Sequence, residues 1–316
     1  MQQTTACPAV GIIGTGAIAG YYGLMLARAG VPVRFLARSD HAELAAQGLH
    51  LSSSALGELH QPVDLCSDMG GLAGCQWILV ATKTTANAEV AGLLAQLPDP
   101  AVNVVLLQNG FAVEDELRPL LPPAMRLFAG LCFIYARRTA PGRISHQGGG
   151  SINIGYHSGA GSAEQGEALA VELVELFNAA GVSSQLADVA KARWQKLVWN
   201  VPYNGLSVVL DATTRQMMDN PACYSLIGDL MQEVVDAAAA CGCALSDKLV
   251  PAMLQATAQM GDYHPSMYAD FADGKPLELQ AIYRAPLAAA EIAGCAMPKT
   301  RMLLQQLEFV TASGAV

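Results

Sequence analysis

Basic residues are scarce in this chain: 18 lysines and arginines stand against 27 aspartates and glutamates, a formal net charge of −9. That balance argues against general nucleic-acid binding, which needs a basic surface, while leaving room for a local basic pocket that takes a phosphorylated cofactor. Charged residues of both signs make up only 14% of the 316 residues and hydrophobic ones 52%, which excludes a disordered chain and describes a compact globular one. No run of about 18 uncharged apolar residues occurs, so neither a transmembrane span nor a membrane partner is expected. The alanine-rich stretch 234–245 is interrupted by Asp236 and reads as a buried helix. Residues 1–8 lack the basic-then-apolar pattern of a secretory leader. The eight cysteines have no framework spacing, and Cys241-Gly242-Cys243 lacks His or Cys partners at zinc spacing. They read as reduced thiols in or near the core of a cytoplasmic protein, with no metal.

What is present starts early. The apolar run Val10-Gly11-Ile12-Ile13 leads into Gly14-Thr15-Gly16-Ala17-Ile18-Ala19, and a helix-like stretch follows. A strand that turns on glycine into a helix makes a site for a dinucleotide's pyrophosphate. Gly14 permits the tight turn, Gly16 lets backbone approach phosphate, and the helix N-terminus offers amides and a positive dipole end. Further apolar runs at 33–37, 77–82 and 103–108 alternate with helix candidates at 20–29, 41–47, 86–96 and 113–121. This is the order of a doubly wound parallel sheet. A strand near 127–135 precedes a hairpin with arms at 143–146 and 151–156, for which Gly148-Gly149-Gly150 is the expected turn. A helix at 164–180 and a short strand at 182–186 close this half, and helical periodicity dominates from 190 to 310. The expected architecture is α/β, with a Rossmann-type NADP-binding domain over 1–187 and an all-helical substrate domain over 188–316.

An acid at the end of the second strand usually bonds the ribose 2′-hydroxyl of NAD; here that strand ends Leu36-Ala37-Arg38-Ser39, which suits a 2′-phosphate. Arg38 is read as a cofactor contact and NADP(H) as the cofactor, although Asp40 follows two residues on and a solvated arginine is the plainer alternative. Lys83 and Asn109-Gly110 stand just past the carboxyl ends of two strands, where open α/β sheets bind ligands. In the second half, Lys196, Asn200 and Asn204 advance by about 40° per step of four on a helix and so form one stripe. Trp194, Val198 and Val201 take the opposite side, and Trp199, Pro202 and Tyr203 flank the stripe in a pattern suited to a cleft wall. A ketone reductase needs hydride at carbon and a proton at oxygen, and a lysine ammonium supplies the proton and stabilises the forming alkoxide. Read alone, Glu278 is an acid in a helix's first turn after Pro276, and Ser266 an ordinary helix-start serine.

These residues resemble the ketopantoate reductase (2-dehydropantoate 2-reductase) family: the glycine loop 14–19, Lys83, Gln108-Asn109-Gly110, Ala136-Arg137-Arg138, the Lys196–Asn200–Asn204 stripe, Ser266 and Glu278 fall in its order. The resemblance implies Lys196 as general acid and Glu278 as a group positioning the lysine, substrate hydroxyl or cofactor. Lys83, and Ala136 through its backbone, would touch the cofactor; Asn109 would lie between nicotinamide and substrate. Asn200, Asn204 and Ser266 would hold a small 2-keto acid. The implied reaction is NADPH-dependent reduction of 2-dehydropantoate to pantoate, in pantothenate biosynthesis. The rivals are reduction of another 2-keto acid and a non-catalytic NADP(H) sensor. The chain departs from the family at Asp262-Tyr263-His264-Pro265 and at Gln280-Ala281-Ile282-Tyr283, close to the implied substrate residues. Its apolar composition is compatible with a homodimer.

Overall fold

The computed structural model describes residues 7–37 and 40–312 and divides into two compact units. One unit comprises residues up to 108 together with 113–189; the other comprises 109–112 and the chain from 190 onward. Among the described residues no helix is long and apolar enough to cross a membrane.

Among the described residues the first unit holds ten strands: β1 (Val10–Ile13), β2 (Val33–Leu36), β3 (Leu49–Ser53), β4 (Gly57–Gln61), β5 (Asp64–Cys66), β6 (Trp77–Val80), β7 (Asn103–Leu106), β8 (Arg126–Ala140), β9 (Arg143–Ser158) and β10 (Ser184–Leu186). Its helices are α1 (Ala17–Arg28), α2 (His41–Gln47), α3 (Asn87–Leu94), α4 (Val113–Leu117) and α5 (Ala163–Ala179). The strands form one sheet in the order β4-β3-β9-β8-β7-β6-β1-β2-β5, with β10 beside β9. From β8 to β5 every pairing is parallel, and the order reverses around β1, which has β6 on one side and β2 on the other. Every residue of β1, β6 and β7 is buried, as continuous apolar runs in a sheet covered on both faces require. Gly20 and Gly23 bring α1 close to the sheet: a Cβ would fall 2.1 Å from Ile144 Cδ1 at the first, and 2.2 Å from Phe35 Cζ at the second.

The structure departs from expectation at the glycine triplet, at the sheet's antiparallel side and at the cysteines. The Gly148–Gly150 triplet is not a turn; β9 runs through it unbroken, and the chain reverses at Pro141-Gly142, where Gly142 takes φ +69°. The glycines serve close packing instead: a Cβ on Gly149 would sit 2.4 Å from the Phe133 carbonyl oxygen, and one on Gly150 would sit 2.2 Å from the Tyr21 hydroxyl. The β8–β9 register shifts beside them, as bulges do. The sheet also extends beyond the expected parallel core through antiparallel pairing of β3 with β4 and of β8 with β9. The cysteines are all unbridged, but only Cys75 and Cys132 are buried; Cys7 is exposed and the other five are half-buried.

The second unit is helical: α6 (Val189–Leu210), α7 (Thr214–Asp219), α8 (Pro221–Ala240), α9 (Leu249–Gln259), α10 (Ser266–Ala272), α11 (Ala285–Ile292) and α12 (Pro298–Ala312), with a π-turn at Gln280–Arg284 leading into α11. Local signals set the ends. Thr213 and Gln216 form a capping box on α7, and Asn220 accepts from the Ala222 and Cys223 amides ahead of Pro221 on α8. The Glu233 carboxylate takes the amides of Lys299 and Thr300 at the start of α12, each at 2.8 Å, satisfying donors that the helix cannot pair itself. A second apolar core gathers Trp194, Val198 and Val201 of α6 with Leu230, Met231 and Val234 of α8, Tyr283, and Leu303 and Leu307 of α12.

Candidate active site

In the first unit, β1 ends at the sheet's reversal point, where ligands of open α/β sheets bind. Gly14 takes φ +115° there, and a Cβ would press to 3.2 Å of the Ala81 carbonyl carbon. Gly16 is extended and occupies the N-cap of α1, with nothing within 4 Å of where a Cβ would stand. No side chain caps the opening amides of the helix and the space beside Gly16 is open, an arrangement suited to phosphate oxygens. Ala17 and Ile18 are half-buried in the first turn and Ala19 is fully buried under it. Beside the loop lies a recess of about 100 Å³ walled by Ile13, Gly14, Thr15, Leu36, Thr82 and the α3 side chains Val90 and Leu93. An open glycine loop over such a recess fits a dinucleotide.

Lys83 follows β6 and heads a 3₁₀ turn whose Ala86 amide bonds its carbonyl at 3.0 Å. Gln108, buried after β7, donates from Nε2 to Thr82 Oγ1 at 3.3 Å and to Asn87 Oδ1 at 2.7 Å, coupling two of the strand ends. Ala136 lies half-buried on β8 opposite His146. Arg38 lies outside the described residues. Asp40 is described: its carboxylate accepts from the Thr15 hydroxyl at 2.8 Å and pairs with Arg138 of β8. Sequence reasoning quoted Arg138 but gave it no partner, because nothing local links residues so far apart in the chain.

In the second unit, α6 carries Lys196, Asn200 and Asn204 on one stripe; the lysine is half-buried and both asparagines are buried. Asn204 Oδ1 accepts the amide of Met267 at 3.4 Å, which brings Ser266, the first residue of α10, to this stripe. Asn200 is 6% exposed, and its Nδ2 has no hydrogen-bond partner among the described residues. A buried donor left so costs roughly 1–3 kcal/mol and marks a place made for an acceptor. Pro202 removes one helix donor within α6. Trp199 and Tyr203 stack at 4.7 Å and are fastened outward, the indole to Thr257 of α9 at 3.1 Å and the phenol to Met218 of α7 at 3.0 Å. These contacts anchor α6 to α7 and α9.

Glu278 is 5% exposed and precedes the π-turn. Within that turn Tyr283 is buried and donates its hydroxyl to the Val201 carbonyl of α6 at 2.8 Å. Asn109 belongs to this unit as well. Gly110 at φ +122° lies against Ala281, the Phe111 amide bonds the Ala281 carbonyl at 2.8 Å, and the Phe111 ring meets Trp194, two residues before Lys196, at 4.5 Å. Asn109 is thereby fixed to the segments that carry Glu278 and Lys196. The departures at 262–264 also find their places. The Thr214 amide donates to the Tyr263 carbonyl at 2.9 Å and the Tyr263 amide to the Thr214 hydroxyl at 3.2 Å, the Asp262 carboxylate accepts the Arg215 amide at 3.3 Å, and the His264 and Tyr268 rings stack at 4.1 Å.

Models of the family described as "Ketopantoate reductase PanE/ApbA" match residues 10–159 and, for its C-terminal part, residues 188–311. A 2-dehydropantoate 2-reductase of Nostoc sp. is 36% identical over 305 residues, covering 95% of this chain and 94% of its own. Among solved structures, 2-dehydropantoate 2-reductase from Geobacter metallireducens superposes with a TM-score of 0.87 at 34% identity, covering 96% of this chain and 100% of its own. The enzyme from Methylococcus capsulatus does so at 0.84 and 29%, covering 98% of each. With a switch-point glycine loop in one unit and a lysine–asparagine helix in the other, matched along nearly its whole length, the chain belongs to the ketopantoate reductase family, oxidoreductases acting on CH–OH groups.

Proposed function

We propose that this protein reduces 2-dehydropantoate to pantoate with NADPH, and that Lys196 delivers the proton. The observation that carries the reading is the α6 stripe: a half-buried lysine followed at helical spacing by two buried amides, one of them with a donor that has no partner among the described residues. When bound, the dihydronicotinamide supplies the hydride that converts the 2-keto carbon to CH–OH.

The glycine loop 14–19 and the α1 amides hold the pyrophosphate, with Lys83 and the Ala136 backbone as further cofactor contacts and Arg38 for the 2′-phosphate. The Lys196 ammonium stabilises negative charge growing on the substrate oxygen and gives up one proton to it. Asn200 Nδ2 donates to a substrate oxygen, and Asn204 and Ser266 hold the rest of the polar groups. Asn109 fixes the approach between nicotinamide and keto acid. Glu278 positions the lysine and the substrate hydroxyl. None of the amides competes for the transferred proton, so the lysine alone sets its delivery.

The test is NADPH oxidation with 2-dehydropantoate by the purified protein and by Lys196→Ala. Turnover by the wild type, and a fall in kcat of about 10²–10⁴ in the variant with NADP⁺ binding retained, are expected. A wild type that binds NADP⁺ but turns over none of a panel of 2-keto acids would sink the reading in favour of a cofactor sensor.

A further inference from the structure

Three segments far apart in sequence meet at one oxygen in the first unit. Asp40, just before α2, presents Oδ2 to the hydroxyl of Thr15 in the glycine loop and to the guanidinium of Arg138 on β8. The aspartate side chain is 9% exposed, whereas the arginine side chain keeps 37% of its surface in solvent. Two donors, one of them cationic, thus meet a carboxylate that water barely reaches. Thr15 stands between Gly14 and Gly16, so the pair also fixes the loop that opens α1.

The position of that charge matters. A carboxylate following the second strand of a dinucleotide fold ordinarily accepts the ribose 2′-hydroxyl and repels a 2′-phosphate. Asp40 is such a residue, four beyond the end of β2, but its Oδ2 is already engaged by two donors, one of them cationic. We propose that Arg138 is a specificity residue for the cofactor: by neutralising Asp40 it removes the repulsion a 2′-phosphate would meet and makes the site accept NADP(H). This rests on the NADPH reading above. It assigns Arg138 an action through Asp40, as a positioning residue, and no contact with the reacting atoms.

The experiment is calorimetric titration of the full chain with NADP⁺ and with NAD⁺, taking the ratio of the two Kd values as the readout. Arg138→Met uncovers the carboxylate and lowers the preference for NADP⁺ by about tenfold or more, with NAD⁺ affinity moved less than about threefold. Arg138→Lys keeps the preference. The double variant Asp40→Asn/Arg138→Met, with no charge left to uncover, returns it to within about threefold of the wild type. Asp40→Asn alone raises it, which keeps the idea testable if Arg138→Met does not fold. Loss of both cofactors in equal proportion, an unchanged ratio, a double variant that fails to recover, or no rise in Asp40→Asn overturns the proposal. The wild-type ratio is a separate result: preference for NAD⁺ there sinks the NADPH reading, while the change on substitution still decides the part played by Arg138.

Discussion

The amide of Phe111 donates to the carbonyl of Ala281 at 2.8 Å, and this bond seats the Asn109-Gly110 turn on the π-turn that follows Glu278. Only glycine fits between them. Gly110→Ala places a Cβ 2.4 Å from that of Ala281 at a φ of +122°. Backbone strain of this kind costs roughly 1–3 kcal/mol, and the overlap adds to it. Urea unfolding should show a loss of at least that size, and kcat should fall as Asn109 is displaced. An unchanged midpoint would contradict the packing described.

Asn200 is expected to separate function from stability. Its Nδ2 has no partner among the described residues, so Asn200→Ala forfeits little in the free protein. The change in unfolding free energy should stay below about 1 kcal/mol, while KM for the keto acid rises roughly 10- to 100-fold with the loss of a hydrogen bond to a charged group. A large loss of stability with unchanged KM would make the asparagine a packing residue.

Alkaline pH should destabilise the helical unit through its buried tyrosines. Burial pushes the Tyr203 phenol up to about 12 and that of Tyr283 further still. Because the folded protein holds these protons more tightly than the unfolded chain, their stabilisation is complete below about pH 10 and declines as pH rises from there. For Tyr203 the loss approaches roughly 3 kcal/mol by about pH 12. Urea midpoints taken between about pH 8 and 11 should fall steadily above 10, and Tyr203→Phe should flatten the slope.

The acid side has its own marker in the sheet. His146 on β9 is buried, bonds the Ser53 hydroxyl through Nδ1 at 2.8 Å and packs on the Tyr21 ring at 4.7 Å. Burial pushes its imidazole below the usual range. The neutral ring is the folded form, so its contribution is present above a pH of about 6.5 and is lost as pH falls below it. His146→Gln should reduce the acid sensitivity of unfolding; an unaltered pH profile would count against this residue.

How far the sequence could be read follows from the range of each signal. The strand–glycine–helix opening was legible because Ile13, Gly14 and the α1 turn act on one another within a few residues. The lysine–asparagine stripe was legible because helical periodicity alone aligns positions four apart. Strand β3 and the edge strand β4 beside it were missed: β4 is largely exposed, and short half-buried strands carry no continuous apolar run. The triplet 148–150 was misread because glycine marks turns and close approaches alike, and only the neighbour, here Phe133 and Tyr21, tells them apart.

The sequence by itself therefore determined the α/β order, the glycine loop and the helix bearing Lys196, all set by backbone geometry and regular spacing. Tertiary structure alone decided that Arg138 answers Asp40, 98 residues away, and that Tyr283 answers Val201, 82 residues away. Charge and hydrogen-bonding capacity are carried by many side chains of the same type. Which of them pair is settled only when packing brings particular groups together and burial makes leaving them unpaired costly.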